Sequence, residues 1–256
     1  MCIRDSSNSF DIYVMDAFAT AHRQSASTFG AILESQEACA GILFSKEIQN
    51  LDLALNSSEN VLSIVGGSKI STKLNVIKNL ISKSSKVLVG GGIANTFLKA
   101  AGYEVGLSLV EDEMIDVSKE LLNTNKIILP KNVYVADSPQ AKSAELVMVD
   151  GVSKDKMILD IELNDELKIT SASDYIIWNG PLGIFEINQF ATGTKQLVKF
   201  LESSPSKVIA GGGETIYAIS KFSDISKFHY VSTAGGAFLE YLSGYSLPSI
   251  EALRLK

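Results

Sequence analysis

The stretch Val61-Leu62-Ser63-Ile64-Val65-Gly66-Gly67-Ser68-Lys69-Ile70-Ser71-Thr72-Lys73 holds the plan of the chain in miniature. A short β-branched run ends on a double glycine, two lysines follow four apart, and Leu74, Ile77, Leu80 and Ile81 then recur at helical spacing. Similar apolar runs lie at 87–89, 126–129, 175–178, 208–210 and 229–231, and Leu197, Val198 and Leu201 form a helical stripe ahead of the run at 208. Runs this short and this apolar read as parallel strands buried on both faces. Strand alternating with helix gives an α/β fold with a doubly wound parallel sheet. A further helical stretch spans about 38–56, with Ile42, Leu43, Ile48, Leu51, Leu53 and Leu55 as its apolar positions, and reads as a connector.

Glycines mark the ends of these runs: Gly66-Gly67, Gly90-Gly91-Gly92, Gly180, Gly211-Gly212-Gly213 and Gly235-Gly236. In an open parallel sheet, ligands bind beyond the carboxyl ends of the strands, where glycine lets backbone amides approach an oxyanion. Five clusters along one rim imply a nucleotide-sized ligand. Neither the dinucleotide fingerprint nor the P-loop spacing follows any run, so dehydrogenase and P-loop readings lose ground. Lys69 and Lys73 are expected on one face of the first turns of a helix, where cations oppose the dipole unless an anion is present. Glu214, opening the helix after Gly213, is either a first-turn stabiliser or a ligand to Mg2+. Arg23 beside His22 suits bidentate binding of carboxylate or phosphate, and equally a surface role. His229 and Trp178 read as structural. No Ser-His-Asp ordering, zinc spacing or isolated carboxylate pair is visible, which leaves phosphoryl transfer by positioning and charge neutralisation as the reaction class.

Composition bounds the alternatives. Of 256 residues, 46% are apolar and 20% charged, which excludes disorder as the main state. Lys and Arg number 23 against 29 Asp and Glu, and a net charge of -6 disfavours nucleic acid or an anionic membrane as the main partner. No apolar run approaches the ~20 residues that span a bilayer. Cys2 and Cys39 carry no metal-ligand spacing and are too few for a disulfide framework, so a cytoplasmic location is expected.

Six ordered segments resemble the phosphoglycerate kinase family in its bacterial form. They are Tyr13 to Arg23 (YVMDAFATAHR), Val65 to Lys73 (VGGSKISTK), Gly90 to Phe97 (GGGIANTF), Trp178 to Glu186 (WNGPLGIFE), Gly211 to Thr215 (GGGET) and Ser232 to Ala237 (STAGGA). The resemblance runs from about Phe10 to the carboxyl end. It implies transfer of a phosphoryl group between the acyl phosphate of 1,3-bisphosphoglycerate and Mg-ADP, giving 3-phosphoglycerate and ATP in glycolysis. By that likeness Lys69 holds the moving phosphoryl group, and Gly211, Gly212 and Gly213 cradle it. Gly67, Ser68 and Lys73 meet the nucleotide, Glu214 ligates Mg2+, and Thr215 meets phosphate. Asn179, Pro181 and Glu186 line the nucleoside site, Glu186 touching ribose, while Gly91, Gly92 and Leu159 flank adenine. Arg23 binds 3-phosphoglycerate.

The likeness also implies a three-layer α/β/α nucleotide lobe over 58–236 and a linker helix between lobes over 38–57. It makes 10–37 the tail of a second α/β lobe, the substrate lobe, and has 237–256 returning toward that lobe. Residues 1–9 match nothing in the family and read as an unstructured, non-native leader. The chain is therefore expected to be part of a two-lobed enzyme, monomeric when whole, that binds nucleotide without turnover. A non-catalytic nucleotide-binding module is the alternative. Apolar surface is expected to be bare near Phe18, Phe29 and 247–255. Three departures stand out: Glu214 for the usual aspartate, Ala234 inside a run that is commonly three glycines, and Glu162 for the glycine after Ile161.

Overall fold

A computed structural model of the chain describes residues 3–7, 9–56, 60–164 and 173–256. In chain order its elements are α1 (Ile3–Ser7), β1 (Ile12–Met15), α2 (Ala31–Glu34), β2 (Glu37–Ala40), α3 (Ile42–Leu55), β3 (Val61–Val65), α4 (Leu74–Lys83), β4 (Lys86–Val89), α5 (Gly91–Ala100) and α6 (Ile115–Leu122). There follow β5 (Ile127–Ile128), β6 (Asn132–Ala136), β7 (Glu145–Met148), β8 (Met157–Glu162), β9 (Tyr175–Asn179), α7 (Thr192–Glu202), β10 (Lys207–Ala210), α8 (Gly213–Phe222), β11 (Tyr230–Val231), α9 (Gly236–Leu242) and α10 (Pro248–Arg254).

All six runs read from the sequence enter one parallel sheet, in the order β11-β10-β9-β3-β4-β5. Every residue of β3 and β9 is buried, because helices or a second sheet cover both faces. Val61, Val65, Tyr175 and Ile177 point into one core with α3, α4, α9 and α10; Leu62, Ile64, Ile176 and Trp178 point into the other, with α7 and α8. The stripe of α4 buries Val76, Ile77, Leu80 and Ile81, and that of α7 buries Leu197, Val198 and Leu201. The architecture is the expected three-layer α/β. No described helix is long and apolar enough to cross a membrane.

An unanticipated three-stranded antiparallel sheet, β7-β6-β8, stands beside the main one. The connector helix begins at Ile42 rather than 38, because Glu37–Ala40 pairs in parallel with Ile12–Met15. Asp16, at the end of β1, caps that helix: its Oδ1 accepts from the amide of Phe44 at 2.8 Å. Ile42, Leu43 and Leu53 face solvent, and the buried stripe is Phe44, Glu47, Leu51, Ala54 and Leu55. Residues 57 and 58, where linker and lobe were divided, lie outside the described residues.

The amino-terminal stretch expected to be unstructured contains helix α1, which packs on α2 and buries Ser7. Met1, Cys2 and Asn8 lie outside the described residues. Helix α10 also lies against α2: the hydroxyl of Ser249 donates to the carbonyl of Thr28 at 2.6 Å, and Lys256 donates to Ser35 O at 2.6 Å. Phe18 and Leu247, expected on bared surface, are fully buried; the ring of Phe18 stands edge-on to Phe44 and Tyr241. The exposed apolar residues of this end include Ile3, Phe10, Ile12 and Val14, and, within the expected segment 247–255, Leu255.

Candidate functional site

From β3 the chain winds outward through β4 to β5, and from β9 it winds the opposite way through β10 to β11. The direction reverses between β3 and β9, and such a switch point opens a crevice at the carboxyl ends of the strands. A cleft of about 360 Å³ lies there. Gly67, Ser68, Gly91, Gly92, Leu159, Pro181, Glu186 and Glu214, all named from the sequence, line it. Leu159 reaches it from β8, so the antiparallel sheet supplies one apolar wall, with Ile158 and Ile161 beside it. Lys69, Lys73, Asn179, Gly211, Gly212, Gly213 and Thr215 stand outside this lining.

The two lysines do not share a helix face. Residues 71–73 form a turn, α4 begins only at Leu74, and Lys73 is its cap residue while Lys69 stands exposed in the preceding loop. The Ile70 carbonyl accepts from the Lys73 amide at 2.8 Å, which closes the turn. Lys73 folds inward, and its Nζ donates to Gly66 O at 2.7 Å and to Asn179 Oδ1 at 2.6 Å. Burial pushes its pKa down to about 8, against the pull of the Glu214 carboxylate. A half-buried ammonium satisfied by two neutral acceptors is a charge held ready for an anion.

The glycines do different work from that expected. Most of the clusters let loops nest against one another, and several rim amides are engaged inside the protein. A Cβ on Gly66 would lie 1.9 Å from Pro181 O, and the Gly66 amide itself donates to Asn179 O. The amides of Gly90, Gly91, Gly180 and Gly211 donate to Val65 O, Leu182 O, Thr215 Oγ1 and Trp178 O. Beside Lys73, amides are left for an anion at the first turn of α8, at Gly213, Glu214 and Thr215, since the first donors of a helix have no intrahelical partner. Gly212 sets up this start with φ +99°, a conformation that favours glycine. The start of α8, beside Lys73, is thus one place on the rim where amides face outward for an anion.

The Thr215 side chain does not face the cleft: it is fully buried and accepts from the Gly180 amide at 2.8 Å, so its backbone is the part available to phosphate. Asn179, buried as well, joins the two sides of the switch point, accepting from Lys73 and donating to Gly211 O at 2.7 Å. Glu186 is exposed, and its loop is pinned by Lys221, whose ammonium donates to Phe185 O at 2.8 Å and Glu186 O at 3.1 Å. Glu214 is exposed on the first turn of α8. No group of three or more metal-ligating side chains exists among the described residues. One carboxylate facing a phosphate site suits Mg2+, which takes its remaining ligands from phosphate and water.

Arg23 is exposed and lines a separate cleft of about 300 Å³ with Asp16 and Thr20. Its neighbour His22 turns toward the start of α9, where a Cβ on Gly236 would sit 2.8 Å from its Nε2, and its buried Nδ1 has no partner.

Several residues escaped the sequence reading. Asp160, on β8, is buried at the cleft wall; its Oδ2 accepts from the Gly193 amide at 2.9 Å, and its Oδ1 has no partner. Burial pushes its pKa up to about 7, although the amides of Gly193, Ile161 and Thr192 oppose this. Asn95, also at the wall, buries an unpartnered Oδ1. Glu47 lies wholly buried in α3 and accepts from the amide and hydroxyl of Thr233, both at 3.0 Å. A lone carboxylate inside an apolar stripe was its visible signal.

Comparison with known proteins places this geometry in a family. The family model described as "Phosphoglycerate kinase" matches residues 3–245, so the match begins inside the stretch taken to be unlike the family. A phosphoglycerate kinase of Francisella tularensis subsp. novicida (strain U112) is 47% identical over 256 residues, covering 96% of this chain and 65% of the relative. The solved phosphoglycerate kinase of Coxiella burnetii superposes with a TM-score of 0.95 at 41% identity, covering 99% of this chain and 68% of that one. The phosphoglycerate kinase of Pyrococcus horikoshii OT3 gives 0.83 at 29%, covering 98% and 65%. The chain spans about 65% of the length of such Francisella relatives.

Proposed function

The chain belongs to the phosphoglycerate kinase family, and from that membership we propose that its switch-point cleft binds ADP or ATP with Mg2+ as the nucleotide half of a phosphoryl-transfer site. The reaction is reversible transfer of a phosphoryl group between 1,3-bisphosphoglycerate and ADP, a step of glycolysis. The observation that carries the reading is Lys73, half-buried at the switch point on two neutral acceptors, beside an apolar slot the size of a nucleoside.

The roles follow from position. Leu159, Gly91, Gly92 and Pro181 form the slot for the base, and Glu186 at its mouth meets the ribose. Lys73 leaves Gly66 O and Asn179 for the nucleotide phosphates, an exchange of neutral partners for charged ones that is favourable away from bulk water. The α8 amides at Gly213, Glu214 and Thr215 face the transferred group, with the exposed Lys69 as its counter-charge. Glu214 would hold Mg2+, whose part is to neutralise phosphate charge. Arg23, in its own cleft, belongs to the 3-phosphoglycerate side. Nucleotide binding is the property proposed for these 256 residues, and turnover that of the whole protein.

Titration calorimetry with Mg-ADP, followed by a coupled phosphotransfer assay, tests this. Saturable binding lost in Lys73→Ala supports the reading, and absence of binding overturns it. Binding without turnover that stays uncorrected when a separately made substrate lobe is added would favour the non-catalytic module.

A further inference from the structure

Glu111 is buried, with 6% of its surface exposed, at the start of the 3-10 turn Asp112–Met114. Its carboxylate accepts from the amide of Ser71 at 3.0 Å and from the hydroxyl of Ser71 at 2.5 Å. Burial would push its pKa up, but the hydroxyl and amide of Ser71, the amide of Ile70 and the Lys69 ammonium hold it below the ordinary glutamate value. The carboxyl is therefore ionised and committed to one object: the turn that carries Lys69 at one end and Lys73 at the other. The turn closes on its own backbone through Lys73 N to Ile70 O, and its Ser71 amide and hydroxyl take their acceptor from Glu111, 40 residues away.

The same residue also reaches the first turn of α5. Its amide donates to Thr96 Oγ1 at 3.2 Å, and the Thr96 hydroxyl donates to Gly92 O at 3.1 Å. Gly92 lines the cleft, and a Cβ there would meet Ser68 O at 2.2 Å, so the loop after β4 and the lysine turn rest directly on each other. Glu111 sits behind this contact and ties both loops.

Resting on the reading of the cleft as a nucleotide site, we infer that Glu111 is a positioning residue for phosphate: it fixes the turn from Ile70 to Lys73, and so the placement of both lysines, without touching the ligand. Two effects compete when its charge is removed. An anion near Lys69 opposes a phosphate, so simple electrostatics predicts tighter binding. Replacing one carboxylate oxygen by an NH2 group leaves the amide and hydroxyl of Ser71 a single acceptor between them and loosens the geometry of the lysines, which predicts weaker binding. Lys69 is exposed, so its attraction to Glu111 is weak, whereas the part-buried bonds from Ser71 to Glu111 are lost outright, so weakening should win.

The test titrates Mg-ADP and, separately, adenosine into the full chain and its variants by calorimetry. In Glu111→Gln the Mg-ADP dissociation constant should rise roughly tenfold, the loss of about one hydrogen-bonded pair, while that for adenosine stays within about twofold. Glu111→Asp, which keeps the charge, should recover most of the ADP affinity. A merely structural residue would weaken both ligands together, and that outcome overturns the inference, as does an unchanged or tighter ADP constant. If Glu111→Gln fails to fold, Ser71→Ala removes one bond from the exposed side; ADP affinity there should fall about threefold, and no change counts against the proposal. Wild-type protein that binds no ADP brings down the site reading itself, whereas wild-type binding with an indifferent Glu111→Gln brings down this inference alone.

Discussion

Nucleotide binding should draw protons from solution, with a pH profile set by Lys73. Burial holds that ammonium at about 8 in the free protein, where an ordinary lysine stands at 10.5. Phosphate at the ammonium favours the charged form and returns its pKa toward or above the ordinary value. A group at 8 is about one-tenth neutral at pH 7, half neutral at pH 8 and nine-tenths neutral at pH 9, and binding must refill that fraction. Uptake should therefore rise from about 0.1 proton per ADP at pH 7 through about 0.5 at pH 8 to about 0.9 at pH 9, and affinity should fall roughly tenfold between pH 7 and 9. Calorimetry at each pH in two buffers of different ionisation heat reads the uptake directly. Lys73→Met, of similar length and without charge, isolates the residue: its uptake should be flat, and its ADP constant weaker at pH 7 by roughly ten- to a hundredfold. The sign for folding is opposite. The unfolded chain holds this proton between pH 8 and 10.5 and the free native state does not, so ligand-free stability should rise with pH across that window. Wild-type uptake that stays near its pH 7 value at pH 9, or an identical curve in Lys73→Met, would refute the assignment.

Glu214→Gln should leave ADP binding in the absence of metal nearly unchanged and remove most of the gain that Mg2+ gives, a comparison made by titration with and without excess Mg2+. Asp160 has a native pKa of about 7 against 3.8 unfolded, so the native state holds the extra proton between those values and stability should fall as pH rises through them. The slope is at most about 1.4 kcal/mol per pH unit. Urea unfolding followed by circular dichroism should show that Asp160→Asn flattens this fall, and a wild-type-to-variant difference that ignores pH would count against it. Gly66→Ala should lower stability by roughly 2 to 4 kcal/mol, since its Cβ would meet Pro181 O with no flexible atom to yield, and thermal melting reads it.

The parallel sheet was legible because its central strands are buried on both faces, which writes them as apolar runs such as Tyr175 to Trp178. The antiparallel sheet was not: β7 is largely exposed, with the pattern exposed, exposed, half-buried, exposed over Glu145–Met148, and offers no clean alternation. Ala38, Cys39 and Ala40 suit a helix locally, and only pairing with β1 makes them a strand. Within the site, the residues bordering the cleft were readable as motifs, while the hydrogen-bond partners were not. Whether Lys73 starts a helix or caps it, whether a glycine amide is free or bound, and that Glu111 serves Ser71 all depend on contacts between distant segments. The spacing of Lys69 and Lys73 suggested a shared helix face that the structure does not have, because the turn between them is closed locally by Ile70 O and braced by Glu111 from far along the chain.

The single tryptophan gives the molecule a built-in optical gauge. Trp178 is wholly buried in β9, and its indole Nε1 donates to Gly180 O at 2.8 Å. Gly180 also borders Lys73: a Cβ there would lie 2.8 Å from Nζ. When that ammonium swings toward a polyphosphate, the local field at the indole changes, so emission wavelength or lifetime should register occupancy without any attached dye. With no second indole in the chain to dilute the signal, stopped-flow mixing would turn the same gauge into a clock for arrival and departure of nucleotide.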